Sequence, residues 1–564
     1  MSKQSKNKIT PIKQPQTSAV TQSDFGIKYP VLWLMLVVVI VYSTSLYFGF
    51  TELDDSIFVR DFRAFNEQWS NVFNSFTRGV FDPKNDTYYR PIFLISMILN
   101  YQMSGEEIMG YHAVNILFHM MNVALVYRFF RELKFKQLTA FLLAMIFAIH
   151  PALSQAVAWI PGRNDTLMSV FVLTYFICSI RFTKGNGIKW LIGAIVALLL
   201  ALFTKETAIF APFALCVILL LLFDVEWKSK RLAGQVLLWV GAVAIYLIAR
   251  ASASMKHEAI DWVSVFHGFF TKIPIIWQYL GKIFLPFNLS VFPIQQDTSN
   301  VYGIVAIVLI IALLLWSKYR DKRTIIAGFL LFFVFILPLL ILPDKINQQT
   351  FEHRLYLPII GILMVLSQSA LFTRPKEDKS LVLIVGALVV FLGIINYRHQ
   401  QYFKDPLTFW TQAEETSPHS AYAVMMYGAR VEDKQLGYAM MRRAYQLNPN
   451  EKYLNYYYGV MLQNQDSVLE SEKYFLKEQK TSDYYECDFY LAQVSHKKQD
   501  NLGAAKHLER YLTRDSMNSP ANNNLLLLYL EMHEKQKSLH QIEAMKHRGF
   551  SIPQQLIQQA NQLP

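Results

Sequence analysis

Charge is scarce in this chain: 17% of its 564 residues are Asp, Glu, Lys or Arg, against roughly 25% in soluble domains. Hydrophobic residues make up 53%, so much of the chain is expected to lie among membrane lipids. Cysteine is nearly missing. Cys178 and Cys216 fall inside apolar runs and Cys487 stands alone in polar sequence, which excludes a disulfide framework and a CxxC metal site. A Walker-type glycine loop, HExxH, GxSxG and any cluster of metal ligands are also absent. Nucleotide hydrolysis, metalloprotease and serine hydrolase chemistry therefore have nothing to stand on, and no metal or tightly bound cofactor is expected. The formal charge of +12 comes without a groove-reading motif, and its Lys and Arg gather in short loops between apolar runs. Nucleic acid is not an expected partner.

What is present is a series of apolar runs from Val31 to about Ile395, followed by polar, Tyr-rich sequence. Residues 1–29 form a polar tail with Lys3, Lys6, Lys8, Lys13 and Lys28. The run Pro30 to Phe50 is long enough to span, and it leads into Thr51-Glu52-Leu53-Asp54-Asp55 rather than the small residues of a cleavage site, so it is expected to stay as a helix with its N-terminus in the cytoplasm. Further runs at Tyr111–Phe130, Gln137–His150, Thr166–Phe182, Trp190–Phe203, Ala208–Phe223, Leu232–Arg250, Val301–Trp316, Thr324–Leu342, Leu355–Phe372 and Leu381–Ile395 bring the count to about eleven. The cytoplasmic loops then become Arg128–Lys136, Arg181–Lys189, Lys228–Arg231, Lys318–Arg323 and Arg374–Lys379, each basic, as the positive-inside bias requires. Val265–Phe287 is apolar enough to span, but counting it would move Lys318–Arg323 outside; it reads as interfacial or re-entrant. The fold class is all-α: a polytopic helix bundle over 30–396, then an extracytoplasmic α-solenoid over 397–564, with few contacts expected across the boundary.

The solenoid rests on a repeat of about 34 residues with small residues at fixed offsets, the pattern of tetratricopeptide helix pairs. One unit carries Tyr427-Gly428, Ala444, Leu447 and Pro449; the next Tyr458-Gly459, Ser471 and Phe475; the third Leu491-Ala492, Ala504 and Leu508; a weak fourth runs through Leu525–Leu530. Gly or Ala lets the two helices of a pair cross closely, and such arrays present a concave face to extended polypeptides.

Ionisable groups are expensive in lipid, so those at span ends and in outer loops are the first candidates for chemistry. Asp54 and Asp55 follow the first span, where a carboxylate can take a proton from an incoming hydroxyl. The same face is expected to carry Arg90, His150, Arg163, Asp165, Lys205, Glu206, Glu352, His353 and Arg354. Cations converging there can hold a phosphate and stabilise an anionic leaving group. Singly, each reads as readily as a snorkelling side chain or a structural ion pair.

The order Leu53-Asp54-Asp55, Tyr89-Arg90-Pro91, Leu99-Asn100-Tyr101, Gly110-Tyr111-His112 with Asn115 and His119, His150-Pro151 through Ala156-Val157-Ala158-Trp159 to Gly162-Arg163-Asn164-Asp165, Lys205-Glu206 and Glu352-His353-Arg354-Leu355-Tyr356-Leu357-Pro358 resembles the transmembrane and tetratricopeptide-repeat-containing O-mannosyltransferases and their bacterial relatives, membrane glycosyltransferases of GT-C architecture. The resemblance implies an inverting enzyme that moves a sugar, a mannose-like hexose, from a polyprenyl-phosphate donor to an acceptor, a protein Ser or Thr, on the outer face. It implies a base at Asp54 or Asp55, donor-phosphate contacts from Arg90, Arg163, Lys205 and Arg354, and support from His150, Asp165, Glu206, Glu352 and His353. A histidine stands between Glu352 and Arg354, where many relatives join Glu and Arg directly. The repeats, on the catalytic side, could capture the acceptor protein. Short outer loops and a basic N-tail fit a bacterial inner membrane with a periplasmic site. A non-catalytic, membrane-anchored repeat scaffold for envelope assembly is the alternative; a transporter finds no internal symmetry to support it.

Overall fold

The structure, a computed structural model, describes residues 26–82, 86–253, 262–341, 349–373 and 379–564. Most of the basic tail, and loop Arg374–Lys379 up to residue 378, lie outside the described residues. Among those described, regular structure is helical throughout, with one isolated antiparallel bridge between Ile294 and Gln349.

Among the described residues, six helices are long and apolar enough to cross a bilayer, seven if the bent pair Gln137–Ile149 and Pro151–Ala158 is a single span. The chain is a multi-pass membrane protein. Ile188–Thr204, Glu206–Leu222 and Val301–Leu315 are apolar but shorter, and the run expected over Leu355–Phe372 contains only the helix Pro358–Leu366. The short helices stop where polar residues intervene. Ile188–Thr204 ends because Lys205 turns to extended backbone, φ −155° and ψ 133°, and Pro151 bends the chain after Ile149. Several helices thus fall short on one side, and the junction residues fill the space between their ends. The ambiguous segment Val265–Phe287 is two short helices, Trp262–Lys272 and Pro274–Phe284, divided before Pro274; neither is long enough to span alone.

Two elements that wall the site are locked together by glycine. Gly328 on helix Lys322–Ile341 and Gly361 on helix Pro358–Leu366 meet backbone to backbone, and a Cβ on either would run into the other's carbonyl.

The C-terminal region forms four antiparallel helix pairs whose first helices begin at Ala421, Leu454, Glu486 and Ser519, capped by Gln554–Gln562. That spacing is close to the roughly 34 residues of a tetratricopeptide. Gly428 and Gly437 permit the first crossing: a Cβ at Gly437 would sit 2.7 Å from the Gly428 carbonyl oxygen.

Packing does not break at Asn396, contrary to the expectation of few crossing contacts. Phe48, Trp159, Val291 and Phe292 of the bundle's loops share one core with Phe403, Phe409, Trp410, Val424 and Leu454. The Trp410 indole donates to the Thr51 carbonyl at 3.0 Å, and Arg430 forms an ion pair with Glu52 at 2.8 Å. Glu52 has φ 56°, a left-handed conformation uncommon for a residue with a side chain and found most often where surrounding structure enforces it. Helix Pro406–Thr416 and the first helix pair therefore shape the loop that bears Asp54 and Asp55.

The alternation of sides has a direct check. Reporters fused after Glu132, Asp165, Lys230 and Pro449 should read cytoplasmic, outer, cytoplasmic and outer; a cytoplasmic reading after Pro449 would remove the repeats from the Asp54 side.

Candidate active site

A cavity of about 170 Å³ opens where the loop after the first helix, the Lys205 break, the end of helix Lys322–Ile341 and the turn Glu352–Leu355 converge. Asp54, Arg90, Asp165, Lys205, Glu206, His353 and Arg354 all line it. Residues as distant in the chain as Asp54 and Arg354 meet there because each lies at the end of a helix, on the same side.

The two adjacent carboxylates part company. Asp55 is buried and faces away from the cavity: its carboxylate accepts the Thr51 N–H at 2.6 Å and the Ser56 N–H at 3.0 Å, folding the loop back on itself. Burial raises its pKa and those hydrogen bonds pull it part of the way back. Asp54 lines the cavity, and its carboxylate makes no hydrogen bond or ion pair to another described residue. Burial, then the neighbouring Asp55 charge, lift its pKa to about 7, against a partial opposing pull from Lys452 and Arg90. Such a carboxyl exchanges protons readily near neutrality. The backbone beyond it, Ile57–Asp61, is a π-helical turn, an irregularity common at functional sites.

The cations differ in how far they are engaged. Arg90 holds Glu206 through two hydrogen bonds, 2.9 and 2.6 Å, and lies over the Tyr88 ring. Lys205 lies between both oxygens of Asp165, 2.7 and 2.8 Å. Arg354 has no carboxylate partner among the described residues; its Nη1 donates to the Gln349 carbonyl at 2.9 Å and its guanidinium lies over Phe351. It is the most available cation for an incoming anion. His353 stands beside it, held well below the usual histidine pKa by burial and by Lys205, Arg354 and Arg90, and so is neutral.

Four expected site residues belong elsewhere. Asp55 has been placed in the loop. Arg163 is fully buried and does not line the cavity: it donates to Asn115 Oδ1, Asn100 Oδ1 and the carbonyls of Tyr111 and Ser96, tying three helices together. His150 accepts from the Ala152 N–H and bonds the Ile283 carbonyl, terminating its helix. Glu352 turns inward, where it accepts from Lys282 Nζ at 2.7 Å and the Ser290 N–H at 2.8 Å, with His399 Nε2 at 3.2 Å from its other oxygen. This explains the interposed histidine. A 3₁₀ turn over Glu352–Leu355 sends Glu352 into the protein as an anchor and leaves His353 and Arg354 on the cavity wall.

Sequence reasoning passed over Tyr88, Tyr279 and Phe351, which line the cavity, and Lys282 and His399, which lie against Glu352; Trp159 and Asn164, also in the lining, stood in the motif order but were given no role. Lys282 carried a signal: it is a lysine in an apolar run that had no place in the span count. On the apolar side, Phe335, Ile336, Pro338 and Leu339 complete the wall from within the membrane-spanning helix Lys322–Ile341.

Residues 91–259 match the family model for dolichyl-phosphate-mannose-protein mannosyltransferases. Among curated proteins, the fruit fly protein O-mannosyl-transferase Tmtc1 is 35% identical over 123 residues, 22% of this chain and 14% of the fly protein. The human protein O-mannosyl-transferase TMTC3 is 32% identical over 23% of this chain and 14% of its own length, and the Caenorhabditis elegans protein O-mannosyl-transferase F38B6.6 is 28% identical over 25% and 20%. These matches span a fifth or less of the relatives' own length. In the part of the bundle that supplies Trp159, Asp165 and Lys205 to the cavity, the chain resembles the dolichyl-phosphate-mannose-protein mannosyltransferases.

Proposed function

We propose that this chain is an inverting membrane glycosyltransferase that moves a mannose-like hexose from a polyprenyl phosphate to a Ser or Thr hydroxyl of a protein on the outer face. One observation carries the reading: Asp54, an unpaired carboxyl titrating near neutrality, shares a cavity with Arg354, Arg90 and Lys205 and with an apolar wall from a membrane-spanning helix. Each part matches a demand of the reaction. The apolar wall receives the isoprenoid. Arg354 takes the phosphate, and Arg90 and Lys205, each balanced by a carboxylate, Glu206 and Asp165, line the cavity beside it as further N–H donors. The acceptor oxygen attacks the anomeric carbon as its proton passes to Asp54. The carbon–phosphate-oxygen bond breaks, the polyprenyl phosphate leaves with the electron pair, and one displacement inverts the anomeric centre. Charge builds on the leaving phosphate in the transition state, where fixed cations stabilise it most.

The repeats deliver the acceptor. The first pair packs on the Asp54 loop, and Lys452 and Tyr422 are near enough to interact electrostatically with Asp54. A polypeptide held along the array would reach the cavity at a raised effective concentration. The proposed setting is a bacterial inner membrane with site and repeats in the periplasm.

Purified full-length protein in detergent, supplied with radiolabelled polyprenyl-phosphate mannose and a Ser/Thr-rich polypeptide, is expected to yield labelled polypeptide with inverted anomeric configuration. Tight binding of the lipid without transfer to any acceptor would favour a scaffold instead.

A further inference from the structure

Three rings form a tier on one wall of the cavity. His353 lies against Phe351, with centroids 5.2 Å apart and planes 24° apart, and against Trp159 at 5.7 Å and 30°. Trp159 and Phe351 complete the set at 6.1 Å and 28°. Such a surface suits the C–H face of a sugar ring. Residues of this wall also hold enclosed polar atoms with nothing to bond.

Trp159 Nε1, Asn164 Oδ1 and His353 Nδ1 are buried without a hydrogen-bond partner, and among the described residues no other residue lining the cavity carries an atom in that condition. The three side chains belong to residues more than nine-tenths buried. Unpaired buried polar atoms are destabilising and are rarely kept without a role. Their chemistry is complementary. The indole N–H only donates and the amide oxygen only accepts. The Asn164 orientation is fixed, because its Nδ2 donates to the Pro161 carbonyl at 3.1 Å, which leaves the oxygen free. The neutral imidazole supplies one further donor or acceptor, its other nitrogen lying 3.8 Å from Asp165, beyond a hydrogen bond. A hydroxyl both donates and accepts, so neighbouring hydroxyls on a ring would pair with all three atoms once small side-chain shifts open them to the cavity, each now exposing less than 1 Å². A phosphate would not, having no proton for Asn164 Oδ1 at neutral pH.

We propose that Trp159, Asn164 and His353 form the subsite that reads the hydroxyls of the transferred hexose, and so set which epimer the protein accepts; this rests on the donor reading above. Arg354 then binds what every donor shares, the phosphate, and these three residues bind what distinguishes one donor from another.

The test is equilibrium binding to the full chain in detergent, read by thermal-shift titration, of polyprenyl phosphate carrying mannose, glucose or galactose, and of bare polyprenyl phosphate. The wild type is expected to bind one epimer about tenfold or more tightly than the others, since a site built to bond a hydroxyl penalises its misplacement. Trp159→Phe, which keeps a ring but removes the N–H, and Asn164→Ala should each compress that preference to about threefold or less and leave the affinity for bare polyprenyl phosphate unchanged. Arg354→Ala should weaken all four lipids together. If Trp159→Phe fails to fold, Asn164→Ala decides alone. An epimer preference that survives in the folded variants, or a wild type that binds all four lipids alike, overturns the subsite while the lipid-phosphate reading stands; a wild type that binds none of them overturns both.

Discussion

Asp54→Asn is expected to lower turnover by roughly 10²–10⁴-fold, the usual cost of losing a general base, with donor affinity nearly unchanged because the carboxylate meets the acceptor. The wild-type rate should rise with pH through about 7, where Asp54 loses its proton, and level off above; that limb should vanish in the Asp54→Asn variant. Stability should move in the opposite sense. A carboxyl with its folded pKa raised above its unfolded value disfavours the fold as pH climbs between the two. Asp54→Asn should therefore melt no lower than wild type at pH 8, with any gain fading below pH 4, where both states are protonated. Asp55→Asn should differ: its amide presents an N–H to one of the donors of Thr51 and Ser56, so the loop loosens, the melting temperature falls and activity drops, while the pH limb persists but moves to lower pH, because the Asp55 charge that helps raise the Asp54 pKa is gone. Full activity in the Asp54→Asn variant would sink the assignment of the base.

Arg163→Ala is expected to abolish stably folded protein. The side chain holds Asn115, Asn100 and two backbone carbonyls at the junction of three helices. Removing it leaves a void and several buried acceptors unpaired, each at about 1–3 kcal/mol, against a total stability of about 5–15 kcal/mol. Lysine should rescue little, since one ammonium cannot span acceptors arranged for a planar fork. Arg354→Ala supplies the contrast. Among the described residues its guanidinium makes one hydrogen bond, to the Gln349 carbonyl, so the melting temperature should hardly change while donor affinity and turnover both fall. Comparing size-exclusion profiles with lipid binding for the two variants separates these roles; equal behaviour would mean that the cavity has been assigned the wrong arginine.

Most helices of the bundle and the repeat pairs were legible because their signals are one-dimensional: apolar length, loop charge, and a spacing of small residues; Pro91–Ser104, which falls in none of the expected runs, was not. Span ends were legible too, and most polar residues placed there do meet in the cavity. Direction was not. Nothing in Asp54-Asp55 states which carboxylate turns outward; that follows from the left-handed Glu52 and from the N–H groups of Thr51 and Ser56, which claim one of the two. Arg163 has the neighbours of a site residue in sequence, yet Asn100 and Asn115 come from two other helices and draw it inward. The Lys282–Glu352–His399 anchor joins residues from three separate segments. Only packing brings them together.

The array's first pair shares a core with the bundle, whereas the cores of the third pair and of the fourth with its terminal cap contain no bundle residue. Stability in such arrays comes mainly from contacts between neighbours. Whole pairs inserted ahead of Gln554–Gln562 would therefore leave the Glu52 turn and Asp54 where they are. On the proposed function, length and surface of the distal array are free to drift toward different acceptors while the cavity stays constant, so the fold would behave as a fixed tool with an exchangeable handle.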